Sequence, residues 1–100
     1  MENDEEKIPY FGIWADLRRN YLKAEKPAEY EQLARENLLI EYLESLNDSY
    51  RDRFNDMVER QMEREGVDEE LKIRNPLEWV GRVNNIRSQV KEILTSEICS

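Results

Sequence analysis

Apolar side chains recur every three or four residues along most of this chain, the period of an amphipathic α-helix. From about Asn37 to Glu65, Leu39, Leu43, Leu46, Tyr50, Phe54, Met57 and Gln61 form one stripe, with Leu38, Tyr42, Val58 and Met62 beside it. The stripe predicts the longest helix. Ser45, Asn47, Asp48 and Ser49 in its middle are weak helix formers, so a kink or helix-turn-helix break near residues 47–49 is the alternative. A second stripe of Trp79, Val83, Ile86, Val90 and Ile93, supported by Val80, Leu94 and Ile98, runs nearly to the C-terminus. Its start is well marked: Asn75 suits an N-cap, Pro76 the first helical position, and Glu78 the capping-box offset. Gly81 costs this helix about 1 kcal/mol against alanine. We expect another helix to approach closely there, in preference to an exposed ligand contact.

The remaining elements are shorter. Between Ile13 and about Glu25, Trp14, Leu17, Tyr21 and Leu22 recur at helical spacing, with Arg18, Arg19 and Lys23 on the rest of the circumference. Pro27 ends this basic helix and opens a short one whose face carries Tyr30, Leu33 and Ala34. Ahead of both, "IPYFGIW" reads as an extended plug docked on the core rather than a surface recognition loop. Gly66 is placed to end the long helix, and Asp68 to cap the turn "DEELKIR". The first seven residues, "MENDEEK", carry four acids and one base and read as a disordered acidic tail.

Composition agrees with helices: 38% charged residues, three glycines and three prolines in 100 residues disfavour a turn-rich β fold. The fold class predicted is all-α, a small helical bundle with two long amphipathic helices, a basic N-terminal helix and short connecting helices. Residues 8–100 are expected to form a single domain, too small for a deep enclosed cavity. No cofactor and no metal is expected. The chain has no histidine, which removes the usual general base, physiological-pH switch and commonest metal ligand. The single Cys99 has no disulfide partner and no histidine to activate it, and reads as a helix-end residue. Carboxylate pairs such as Glu59 and Glu63 lack the pocket a general acid needs, and no phosphate loop, zinc spacing or EF-hand loop is present. The protein is therefore not expected to be an enzyme. With no apolar run near the ~20 residues of a membrane span and an acidic N-terminus, the expected location is the bacterial cytoplasm.

Charge is unevenly spread. The net is −8. Residues 28–73 hold fourteen acids and six bases, whereas residues 8–27 net +2 and residues 74–100 net +1. In the long helix Glu41, Glu44, Asp48, Asp52, Asp56, Glu59 and Glu63 follow one another at three- or four-residue steps. Like charges so spaced weaken a helix slightly. They form either a solvated face partly neutralised by Arg51, Arg53, Arg60 and Arg64, or a surface that meets a basic groove on a partner. The basic candidates are Arg18, Arg19, Lys23, Arg82, Arg87 and Lys91. Arg and Asn side chains read base edges, and Asn84 and Asn85 adjoin Arg87. A recognition helix ordinarily belongs to a basic domain, however, and this chain is acidic.

Two blocks carry a resemblance. "IPYFGIWADLRRNYLKAEK" resembles the start, and "QMEREGVDEELKIRNPLEWVGRVNNIRSQVKEILTSEI" the C-terminal half, of the TnpV family of transposon-encoded proteins. In the second block the similarity rests on Gln61, Met62, Glu65, Gly66, Val67, Leu71, Lys72, Trp79, Val80, Asn84, Ile86, Arg87 and Glu97. Where the family pattern has a basic, histidine-containing run after the first helix, this chain reads "KAEKPAEY". The resemblance implies carriage on a bacterial mobile element and no established activity. Together with the acidic ridge it leads us to expect a non-catalytic accessory protein that binds a host protein, an RNA-guided nuclease, and inhibits it as an anti-CRISPR does. The alternative is a DNA-associated accessory or regulatory factor of transposition that uses the basic first and last helices. A homodimer with a seam through Trp79, Val83 and Ile86 is a third, structural expectation.

Overall fold

The computed structural model describes residues 8–100, so the acidic tail expected at residues 1–7 lies outside the described residues. Among the described residues there are five helices and no strand: α1 Ile13–Glu25, α2 Pro27–Arg35, α3 Leu39–Glu65, α4 Glu69–Arg74 and α5 Pro76–Ile98. The all-α expectation holds, with two long helices. The chain divides into two compact units, one reaching Arg51 and including Thr95–Ser100, the other Asp52–Leu94.

In the first unit α1 packs on α2. Ala15, Leu22, Tyr30, Leu39 and Leu43 make the core, with Ile8, Phe11, Tyr21, Leu33, Ala34 and Tyr42 against it. The "IPYFGIW" segment thus docks through Ile8, Phe11 and the buried Trp14, while Tyr10 is exposed. The Trp14 ring stacks on Tyr50 with centroids 6.1 Å apart.

The long helix expected here is continuous, and the alternative of a break near residues 47–49 does not occur: α3 is helical through Asn47, Asp48 and Ser49. Asn47 is instead buried, and it completes the start of α1. The N-cap of α1 is Gly12, which offers no side-chain hydrogen bond. The Asn47 Oδ1 accepts from the Ala15 amide at 3.1 Å, and its Nδ2 donates to the Phe11 carbonyl at 2.8 Å. A residue that weakens its own helix thus satisfies orphan groups of another. Gly12, at φ 143°, leaves the space this needs, since a Cβ there would lie 2.5 Å from the Asn47 Oδ1.

Helix ends follow local chemistry. Asn37, expected to open α3, instead closes α2. It adopts φ 58°, the Asn37 amide donates to the Ala34 carbonyl and the Leu38 amide to the Leu33 carbonyl. That hydrogen-bond pair is a Schellman ending, in which asparagine tolerates the left-handed residue. The end of α3 repeats it with Gly66 at φ 68°, the Gly66 amide donating to the Glu63 carbonyl and the Val67 amide to the Met62 carbonyl, as the sequence predicts. Asp68 caps α4 by accepting from the Leu71 amide at 2.9 Å. Asn75 serves two helices: its amide donates to the Leu71 carbonyl at 2.7 Å to close α4, and its Oδ1 accepts from the Glu78 amide to open α5. With the Asn75 backbone amide so occupied, the Glu78 carboxylate accepts from the Asn75 Nδ2 instead.

In the second unit Val58, Val67, Leu71, Ile86, Val90 and Leu94 are buried. Two expectations for α5 fail here. Ile93 is 56% exposed rather than part of the packed stripe, and nothing lies within 4 Å of a Cβ built on Gly81. Among the described residues no helix approaches that glycine.

Candidate functional site

At 100° per residue the seven acids of α3 fall within an arc of about 120°, opposite the stripe that includes the buried Leu39 and Leu43. All seven are exposed. Glu41, Glu44 and Asp48 stand in the first unit, and Asp52, Asp56, Glu59 and Glu63 in the second. Each group taken alone spans only about 60° of the helix circumference. The apolar stripe decides this geometry: once it is packed inward, residues offset from it by half a turn face solvent.

Neutralisation of these acids is partial. Arg51 pairs with Asp48 at 3.2 Å and Arg60 with Asp56 at 3.1 Å, both well exposed, where such a pair contributes about 0.3–0.5 kcal/mol. Asp52 is also engaged. Glu41, Glu44, Glu59 and Glu63 have no ion-pair partner among the described residues. Among the described residues no group of three or more acidic or cysteine side chains could hold a metal. Cys99 is exposed at the end of α5.

The basic candidates are more occupied. Arg18 is half-buried. Its Nε donates to the Tyr42 Oη at 3.1 Å, its Nη1 to the Ile98 carbonyl at 2.6 Å, and its guanidinium lies 5.3 Å from the Tyr21 ring centroid. Burial alone would lower its pKa, but the Tyr42 hydrogen bond and the charges of Tyr42, Glu29 and Tyr21 raise it overall. Arg19 is half-buried and also engaged. The Lys23 ammonium lies 5.9 Å from the Tyr30 ring centroid. Arg82 pairs with Glu78 at 3.2 Å and donates to the Glu65 carbonyl, helping to close α3. Arg87 lies over the Phe54 ring at 5.0 Å. Lys91 is exposed. Arg18, Arg19 and Lys23 belong to the first unit, and Arg82, Arg87 and Lys91 to the second.

Of the three residues expected to form a homodimer seam, Ile86 is 1% exposed and Trp79 and Val83 are half-buried. Ile73 and Leu77, which the periodicity left aside, are more than 80% exposed. Two open grooves also escaped the sequence. One of about 610 Å³ in the first unit is lined by Leu33, Leu38, Tyr42, Leu46 and Tyr50, with Glu41 at its edge. The other, of about 500 Å³ in the second unit, is lined by Met62, Val67 and Trp79 with Glu59, Glu63 and Glu69. Both sit at a Schellman ending, where the bond pattern brings an apolar pair together: Leu33 with Leu38, and Met62 with Val67. That signature was the only hint of them in the sequence.

The family model for the transposon-encoded protein TnpV matches residues 1–99 of the chain. No curated protein and no solved structure matches it. Among the described residues no helix is long and apolar enough to cross a membrane.

Proposed function

The chain belongs to the TnpV family of transposon-encoded proteins, and on that premise we propose that it is a non-catalytic accessory protein of its mobile element that works by protein–protein binding. Its partner is a host RNA-guided nuclease, which it inhibits by laying acidic helix surface in a channel built for nucleic acid. The observation that carries the reading is the exposed, incompletely neutralised row of carboxylates on α3. In the second unit Asp52, Asp56, Glu59 and Glu63 follow at steps of four, three and four residues, or about 4.5–6 Å along the axis. One strand of duplex carries a phosphate about every 3.4 Å; the row sets carboxylates at more than half that linear density, with Asp56 paired to Arg60, Asp52 engaged, and Glu59 and Glu63 left without an ion-pair partner among the described residues. A channel lined with lysine and arginine attracts either surface.

Plasmid transformation tests this directly, in bacteria whose RNA-guided nuclease targets the plasmid, with and without the protein. Expression is expected to rescue transformation. Reversing three charges with Asp52→Lys, Asp56→Lys and Glu59→Lys takes the net charge from −8 to −2 and is expected to abolish rescue while the helical spectrum is kept. Rescue that survives the triple reversal would sink the mimicry.

The alternative, a DNA-associated factor of transposition, draws on Arg18, Arg19, Lys23, Arg82, Arg87 and Lys91, of which Arg18, Arg82 and Arg87 are tied to contacts within the chain. It requires duplex binding that weakens steeply with salt. We expect no mobility shift of duplex DNA even at low salt; a shift lost on Arg87→Glu and Lys91→Glu substitution would favour the alternative.

A further inference from the structure

We propose that the groove at the end of α3 in the second unit is a docking site for a basic, amphipathic segment of the partner protein, seating an arginine side chain beside an apolar one. This deepens the reading above and rests on it in one respect, that the partner presents basic surface to α3.

The floor of the groove is apolar. The Schellman ending at Gly66 turns the chain so that Val67 returns against Met62, the Val67 amide donating to the Met62 carbonyl at 2.9 Å, and Trp79 of α5 supplies the adjoining wall. Its rim is acidic. Glu59, Glu63 and Glu69 are exposed and have no ion-pair partner among the described residues, whereas the Asp68 carboxylate is committed to the Leu71 amide. An apolar floor under unpaired carboxylates matches a long side chain with an aliphatic stem and a cationic head.

Trp79 adds a second argument, independent of the acids. The Lys72 ammonium lies 4.8 Å from the centroid of its ring, and an incoming guanidinium would take the place of that exposed ammonium on the ring face. Arginine suits the place better than lysine, because the planar guanidinium stacks on an aromatic face and binds carboxylates in fork geometry. The volume, about 500 Å³, holds such a side chain together with an apolar neighbour.

The test is a titration of the isotope-labelled full chain with the capped tetrapeptide Leu-Arg-Leu-Arg, followed by NMR. The expected result is a saturable shift of the Trp79 indole N–H and the Gly66 amide, with no shift of the indole of Trp14, which is 5% exposed in the first unit. The lysine peptide is expected to bind more weakly, and Leu-Glu-Leu-Glu not at all. Glu59→Gln with Glu63→Gln, both at exposed positions, is expected to weaken binding about tenfold. Trp79→Leu leaves the charge unchanged and, followed at Gly66, is expected to weaken it about two- to fivefold. Equal shifts with the acidic peptide, unchanged affinity after the double Gln substitution, or no shift at Trp79 would each overturn the proposal. The nuclease assay separates the two readings. Rescue without peptide binding removes the groove alone, and peptide binding without rescue removes the nuclease reading and leaves the groove standing.

Discussion

Replacing Asn47 with alanine is expected to lower stability by about 3 kcal/mol, although the substitution raises intrinsic helix propensity at its own position. Two backbone groups lose their partner at once, the buried Ala15 amide and the part-buried Phe11 carbonyl. Each orphaned group costs about 1–3 kcal/mol, and the gain in propensity returns only about half a kcal/mol. Gly12→Ala reaches the same contact from the other side. Its Cβ would meet the Asn47 amide at 2.5–2.9 Å on a backbone at φ 143°, a conformation essentially restricted to glycine that costs about 1–3 kcal/mol for other residues. The asparagine must then withdraw, so Gly12→Ala is expected to be at least as damaging as Asn47→Ala. Because both changes break one contact, they are not additive, and the double variant should fall short of their sum by about 1–2 kcal/mol. Urea unfolding of the four proteins measures this. A loss below about 0.5 kcal/mol for Asn47→Ala, the range of ordinary surface substitutions, would show that the α1 start does not depend on it.

Asn47 also shows where the sequence stops being legible. The weak helix formers around it leave a break open as an alternative because propensity is a local quantity, whereas the groups that Asn47 satisfies lie 32 and 36 positions away. Asn37 misleads in the opposite way: asparagine is favoured both at an N-cap and as the left-handed residue of a C-terminal ending, and only the bonds to Ala34 and Leu33 decide between them. Gly66, Asp68, Asn75 and Pro76 were readable because their partners are within five residues. The exposure of the acidic row on α3 was readable too, since spacing fixes both it and the apolar stripe. Which basic residues remain available was not. Arg18, Arg82 and Arg87 have the same composition signal as surface cations, and only the folded chain shows them on a helix end, a carbonyl and an aromatic ring.

Arg18→Met is expected to cost about 2–3 kcal/mol, by a mechanism that separates charge from geometry. The last turn of α5 contains no basic residue, so its carbonyls and the negative end of its dipole are met from α1, by the Arg18 Nη1 on the Ile98 carbonyl while the Nε holds the Tyr42 hydroxyl. Loss of a charged hydrogen bond accounts for about 1.5–3 kcal/mol and loss of the dipole interaction for about 0.3–1 kcal/mol; the methionine stem keeps part of the packing. Arg18→Lys retains the charge but cannot span both acceptors, and is expected to recover the dipole part and less than half of the total. Amide exchange locates the effect: the Cys99 amide, bonded to the Thr95 carbonyl at 3.0 Å, should exchange faster in Arg18→Met, while the Leu71 amide held by Asp68 should not change. The sign of the pH dependence follows from the raised Arg18 pKa. Stability from a raised pKa is fully present below the unfolded value and is lost as pH rises through the folded one. Arginine keeps its proton in folded and unfolded chains throughout the accessible range, so the difference between wild type and Arg18→Met should stay constant from about pH 5 to pH 9. A difference that disappeared within that range would mean that a partner of Arg18, rather than the guanidinium, controls the end of α5.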